Sequence, residues 1–576
     1  MRKFIKNYLA TVWSATHHIL LAIVCAAVVM APDHIVNLFN GGYQTRFSIA
    51  TLLVLTVLFS LALLGSTTVF LCLAGSVVFL QFAQLLHISY FGSLISPHAV
   101  ILFFSDYAEI VETLGALPGY LVIPVLVAAL EMLLLVFLFR KTRHLHKQIP
   151  FAWMAILALM LILPVQANNP KATAQQYYPN PRNYSVANTF FAVSYFLGRD
   201  LPDWLGEDQA RPSSSMACEP YQSVRTGDPL ADNVVIVMGE SLSAAHMSVF
   251  GYSRDTTPKL RALVGSSELS ATIAYSAGVS TKVTLPMFYN VQREPGNFRH
   301  MIRMESSLFR FAKQQGFSTH YVSSQTANLA TYVGERYIDH FVTKEDMEVS
   351  MATRKDRVLV DALKNIDLSQ RNFIVLHQRS SHSPYDQQYP PEFARYPLGG
   401  ADYVDFTTNS YDNAVSFTDE VVAEIIDHLK AHSQGRTLLV FTADHSELLG
   451  EGGKYGHTHL QIETARVPLM VYGKNLGPDV QQRLYGLSQP THYEIGKEIS
   501  AILGYRVVNP NEEPGIYYVN GPDIGGRAGY MTIDKRVSPP RSTLIQDMSV
   551  NESVCEINAA KPVTVSVDAN SLSPFR

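Results

Sequence analysis

The chain has 576 residues, 47% of them hydrophobic and 16% charged, with a formal net charge of −4. That length allows more than one domain, and the charge balance excludes a polyanion-binding surface, so no nucleic-acid partner is expected. The hydrophobic excess is uneven: residues 1–166 hold nearly all of it.

Five apolar segments come first, at residues 18–39, 47–66, 68–90, 120–139 and 150–165. Most approach the ~20 residues that a bilayer core requires, and the last is short. Arg2, Lys3 and Lys6 precede the first segment, as in a signal peptide, but four more apolar segments follow, so an uncleaved span is expected. Basic residues mark the N-terminus and the loop at 140–147, whereas the loop at 91–119 has Asp106, Glu109 and Glu112 and no Lys or Arg. The positive-inside rule puts the first two in the cytoplasm and the third outside, and an odd number of spans carries everything after Val165 outside. Glu131 lies within the fourth span. An intramembrane carboxylate points either to function or to a protonated or paired structural group.

Residues 167–228 are rich in Asn, Pro, Ser and Gln and form a linker; within it residues 184–197 read as an interfacial helix or as a helix packed on the soluble domain. Cys25 and Cys72 fall in apolar segments, whereas Cys218 and Cys555 flank the soluble part. Outside the cytoplasm the latter two can pair; two free thiols is the alternative. From about residue 232, short apolar runs at 233–238, 319–322, 373–376, 437–441 and 467–471 alternate with helical patterns such as 308–315 and 413–431. This predicts an α/β sandwich around a largely parallel sheet.

Two of those strands end on carboxylates. Glu240 follows the first, and Asp444-His445 follows the run at 437–441. Open α/β sheets build their sites at strand C-termini. His457 lies in a glycine-rich loop, and Thr281, with Ser280 as its neighbour and rival, follows Gly278. Carboxylates, imidazoles and a hydroxyl make an oxygen- and nitrogen-rich set suited to zinc, and zinc coordination turns a threonine hydroxyl into a usable nucleophile.

Gly239-Glu240-Ser241, with the stretch from His246 to Pro258, resembles the opening motif of the phosphoethanolamine transferases, in the alkaline phosphatase and sulfatase superfamily. Residues 278–288 resemble that family's nucleophile loop, and residues 377–385, with His377, Gln378, His382 and Pro384, its His-Gln-x-x-x-His-x-Pro segment. Tyr411-Asp412-Asn413 with Thr418-Asp419, and then the stretch 444–457, complete five motifs in order. The resemblance implies a five-helix transmembrane domain at 1–166, the linker at 167–228, and a periplasmic catalytic domain at 229–576 with an alkaline-phosphatase-like α/β fold, in a bacterial inner membrane and as a monomer. It implies that Glu240, Thr281, Asp444 and His445 bind the principal zinc, that Thr281 accepts the phosphoethanolamine group, and that His382 and His457 bind substrate phosphate or a second zinc. Glu447 and His459 read as bystanders. The implied donor is phosphatidylethanolamine, and the implied acceptor is lipopolysaccharide, at lipid A or a core sugar, or another envelope component. A phosphoglycerol transferase and a non-catalytic sensor of lipid or lipopolysaccharide are the alternatives; the Cys/Ser-x-Pro-x-Arg signature of sulfatases is missing at the nucleophile loop. The sequence departs from the family pattern at Ala277 and Met287, where cysteines flank that loop, at Ser446, where a glycine follows Asp-His, and at Phe104, where the outer loop carries a Glu. The loop around Thr281 is therefore expected to be held by packing.

Overall fold

Long runs of apolar residues without charge fold as helices because only a helix satisfies its own backbone polar groups away from water. The computed structural model describes residues 2–39, 45–105, 111, 119–142, 149–169, 174–202, 218–399, 403–524, 528–545 and 554–557. It divides into two units, Met1–Arg211 and Pro212–Arg576.

The first unit is helical. Helices occupy all five apolar segments, at Arg2–Phe39, Ile49–Leu64, Thr67–Phe91, Gly119–Thr142 and Ala152–Ala167. Three contain stretches long and apolar enough to cross a membrane, Thr16–Ile35, Thr67–Phe91 and Leu121–Thr142. The other two have 16 residues each, about 24 Å at 1.5 Å per residue, short of a ~30 Å hydrocarbon core. Five spans, the last of them short, are expected from the sequence, and three helices long and apolar enough to cross a membrane are found among the described residues. Ser48 and Ser66 accept hydrogen bonds from the backbone N–H of Thr51 and Val69, which fixes where two of these helices begin. Ile123, Leu126, Leu130, Leu133 and Phe137 point outward from one helix. Small buried residues, Ala22, Cys25 and Ala26, let the helices approach closely, and Phe70 stacks on Phe139. The segment at 184–197 folds as a helix, Ser185–Tyr195, within this unit. Asp33 accepts a hydrogen bond from the Ser185 N–H at 3.1 Å, and Gln84 accepts one from Thr189 at 3.2 Å. That helix belongs to the first unit, where Ser185 and Thr189 bond it to the apolar helices. Glu131 is buried and accepts no hydrogen bond among the described residues. Asp106, Glu109 and Glu112 lie outside the described residues.

The second unit is built on a seven-stranded sheet: β1 Asn233–Gly239, β2 Leu269–Tyr275, β3 Ser318–Ser323, β4 His340–Val342, β5 Asn372–His377, β6 Thr437–Ala443 and β7 Arg466–Lys474. The spatial order is β2-β7-β6-β1-β5-β3-β4. Strands β6, β1, β5, β3 and β4 are parallel, and β7 is antiparallel to both β6 and β2. The two reversals cancel, so β2 runs in the same direction as β1 and β6. Every residue of β1, β5 and β6 is buried, as expected for strands covered on both faces. Helices such as Leu308–Gln314 and Tyr403–His432 supply the covering layers, and burying each Val or Ile of β1 contributes about 1.5–3 kcal/mol. A second, three-stranded sheet, Ile516–Asn520, Tyr530–Asp534 and Arg541–Ile545, lies near the C-terminus.

Cys218 and Cys555 form a disulfide that ties the start of the second unit to its C-terminal tail. Replacing both with Ser is expected to lower unfolding stability by about 2–4 kcal/mol. Urea titration of the wild type and of the double variant checks this; equal midpoints contradict it.

Candidate metal and transfer site

The central strands of the sheet deliver the site. Glu240 and Asp444 follow β1 and β6, which pair in register with Gly239 beside Ala443. The backbone turns sharply after Glu240: Ser241 has φ +50°. That conformation is disfavoured for serine and is held from three directions. Asp444 Oδ1 accepts the Ser241 N–H at 3.0 Å. Tyr411 donates its hydroxyl to the Ser241 carbonyl at 2.7 Å and accepts the Ser243 N–H at 2.8 Å. Asp412, next along the helix, is buried and binds His246, Tyr252 and Arg254. Asp419 accepts the backbone N–H groups of Lys259 and Leu260. The residues of the first and fourth sequence motifs thus brace one another, and the Glu240 turn with them.

Thr281 arrives from β2. Because β2 runs with β1 and β6, its C-terminal end opens at the same edge of the sheet. The connecting residues are pinned by backbone hydrogen bonds from Ser276 to Ala465, Val279 to Asn520 and Thr458 to Val279. Ala277 and Met287, at the positions of the family's cysteines, pack with Val283 and Met301. A Cβ on Gly278 would lie 2.8 Å from Val283 Cγ1, so glycine permits this close turn. Thr281 begins the helix Thr281–Tyr289. Its Oγ1 lies 3.2 Å from His445 Nε2 and 3.3–3.4 Å from the two oxygens of Glu240. Ser280 Oγ instead donates to the Pro522 carbonyl. Of the two hydroxyls, the one at Thr281 faces the Glu240 carboxylate.

Glu240, Asp444 and His445 each offer a ligand atom, and these atoms lie within 4.8 Å of one another. All three are buried. His445, Glu447 and His457 form a second such group, sharing His445. The short hairpin of Leu448–Leu449 and Tyr455–Gly456 folds the glycine-rich loop back, so that His457 Nδ1 meets Glu447 at 3.0 Å. Glu447 also accepts the Tyr385 hydroxyl at 2.6 Å. Glu447 is therefore part of the site rather than a bystander, whereas His459 contacts the Tyr455 carbonyl in the hairpin. His382 stands 6.1 Å from His457, ring to ring, and His457 4.4 Å from His445.

Three imidazoles share one tautomer. Nδ1 of His445 faces the Ser446 carbonyl, Nδ1 of His382 the Ser383 carbonyl, and Nδ1 of His457 the Glu447 carboxylate. Each of these acceptors requires a proton on Nδ1, which leaves the lone pair on Nε2 when the ring is neutral. Burial pushes His445 down to about 3, helped by the neighbouring His457, and it holds His382 well below the usual range. Neutral imidazoles with Nε2 lone pairs are what a metal ion takes. Asp444 Oδ2, fully buried, lies 3.2 Å from His445 Nε2 and accepts no hydrogen bond among the described residues. Two carboxylates, neutral imidazoles and an orphaned buried oxygen fit a divalent cation.

Purified full-length Asp444→Ala and His445→Ala proteins are expected to retain less than about a tenth of the zinc bound by the parent, whereas Ser280→Ala retains it all. Metal analysis after dialysis against buffered zinc measures this. Full occupancy in either of the first two variants places the metal elsewhere.

Residues 232–505 match the sulfatase family model. The Kdo(2)-lipid A phosphoethanolamine 7''-transferase of Salmonella typhimurium is 25% identical over 367 residues, covering 59% of this chain and 64% of that protein. The phosphoethanolamine transferase EptA of Escherichia coli is 26% identical over 319 residues, covering 50% and 55%. The chain thus spans between half and two thirds of the length of these relatives. Among solved structures, the integral membrane lipooligosaccharide phosphoethanolamine transferase A of Neisseria meningitidis has the same fold, with a TM-score of 0.53 at 16% identity, over 84% of this chain and 94% of that one. The second unit thus matches the sulfatase family model, and the chain is similar to phosphoethanolamine transferases over about half its length or a little more.

Proposed function

We propose that this protein transfers phosphoethanolamine from phosphatidylethanolamine to a lipopolysaccharide acceptor of the bacterial envelope, through a covalent intermediate on Thr281. The observation that carries the reading is the placement of the Thr281 hydroxyl against Glu240 and His445, in a buried set of metal-ligand groups. The similarity to lipid A phosphoethanolamine transferases supports the group transferred and the class of acceptor. The apolar helices of the first unit support an anchor in the membrane where the donor resides, and the positive-inside pattern supports an inner-membrane protein with its catalytic domain in the periplasm.

Glu240, Thr281, Asp444 and His445 would hold zinc. When bound, it supplies a Lewis acid that stabilises charge on the phosphoryl oxygens and favours the threonine alkoxide. Thr281 Oγ1 attacks the phosphorus of the donor. The bond from phosphorus to the glycerol oxygen breaks, Thr281 loses its proton, and diacylglycerol leaves with a proton on that oxygen. In the second half the acceptor oxygen attacks the same phosphorus and Thr281 recovers its hydroxyl. His382 and His457 would hold the substrate phosphate or a second zinc, with Glu447 as a further ligand for the cation only. On His382, which burial keeps neutral, the Nε2 lone pair repels a phosphate oxygen and favours the cation. A phosphoglycerol transferase is the second reading, and headgroup-labelled donor lipids separate the two.

Thr281→Ala is expected to keep its zinc through Glu240, Asp444 and His445 and to lose transfer by at least about a thousandfold. The wild type, given phosphatidylethanolamine and no acceptor, should carry phosphoethanolamine on the peptide containing Thr281. An adduct on Ser280, or an active Thr281→Ala enzyme, contradicts the assignment.

A further inference from the structure

We propose that Gln325 is a positioning residue for Glu240, held in its working orientation by the buried guanidinium of Arg379. The inference rests on the reading of Glu240 as a metal ligand. Gln325 follows β3 and is fully buried. Its Nε2 donates to Glu240 Oε2 at 2.9 Å, and its Oε1 accepts from Arg379 Nη1 at 2.9 Å. The polarity of this bridge is fixed by chemistry. An ionised carboxylate only accepts and a guanidinium only donates, so the amide between them can lie only one way round. On the other side of Glu240, Ser241 Oγ donates to Oε1 at 2.8 Å. The carboxylate is thus clamped at both oxygens before any metal binds.

Arg379 is itself immobilised. Its backbone N–H and that of Ser380 donate to the buried carboxylate of Asp356, at 2.9 and 2.8 Å. The Gln325 backbone N–H is bonded to Ser323 at 3.0 Å. The amide, carried on the segment after β3, therefore connects Glu240, after β1, to Arg379, after β5.

Gln325 has two tasks. It orients Glu240, and it separates a cation from a carboxylate that would otherwise attract it. With a non-polar side chain at 325, the Arg379 guanidinium would be drawn onto Glu240 and would compete with the metal for it. A hydrogen-bond partner of a ligating side chain commonly contributes about 10–100-fold to metal affinity.

The test uses the purified full-length protein. Zinc affinity is measured by competition with a chromophoric chelator, and kcat and KM are measured on phosphatidylethanolamine vesicles. Gln325→Met should weaken zinc binding about 10–100-fold and lower kcat with KM nearly unchanged, while the metal-free protein melts as the parent does. Arg379→Met should weaken zinc binding less, and the double variant should be no worse than Gln325→Met, because Arg379 acts through the amide. If Gln325→Met does not fold, Arg379→Met alone decides: it must lower zinc affinity several-fold. Unchanged zinc affinity in the variants that fold, or strictly additive effects, overturns the proposal. Glu240→Ala is the control. If it keeps full zinc affinity, the metal-site reading fails; if it loses zinc while Gln325→Met keeps it, only the positioning role fails.

Discussion

Two carboxylates forced together in a buried pocket are the constraint on which the rest of this structure turns. Glu240 and Asp444 present oxygens within 4.8 Å of each other and of His445, where two negative charges repel by about 3–4 kcal/mol at an effective dielectric constant near 20. A fold tolerates that only if something offsets it. Hydrogen bonds supply part of the offset: Asp444 Oδ1 accepts two backbone N–H groups, from Ser241 and His445, and Glu240 is held by Ser241 and Gln325. A cation held among these groups would offset the remainder, and the buried Asp444 Oδ2, which accepts no hydrogen bond among the described residues, is consistent with one.

The sheet explains why these groups meet at all. Parallel strands β1 and β6 open at one edge, and the reversed strand β7 returns β2 to that same edge, so Thr281 faces Glu240, 41 positions earlier, and His445, 164 positions later. Apolar packing around Ala277, Met287 and Val283 keeps the loop in place. A single pair of antiparallel junctions thus sets where the Thr281 hydroxyl sits.

Much of this was legible in the sequence, for identifiable reasons. Strands β1, β5 and β6 announce themselves as β-branched runs because both their faces are covered, and the carboxylates stand directly at the ends of two of them. β2 did not announce itself: Leu269–Tyr275 is a half-exposed edge strand of small and polar residues, without the apolar run that marks a buried one. Glu447 reads as a bystander in a linear sequence because its partner His457 is ten residues away across a glycine-rich loop; the hairpin that joins them has two residues per strand, too few to leave a pattern. Gln325 and Arg379 come from separate strands and meet only in three dimensions. In the membrane unit, composition located five helices but could not give the reach of the two short ones, because hydropathy reports apolar residues and not where a cap such as Ser48 begins a helix or Gly65 ends it.

Anomalous diffraction at the zinc edge, from crystals of the full-length protein grown with zinc, tests the central claim most directly. The account predicts a peak about 2.0–2.2 Å from ligand atoms of Glu240, Thr281, Asp444 and His445. A fully occupied zinc bound elsewhere, with Glu240 and Asp444 left without a cation between them, would contradict it.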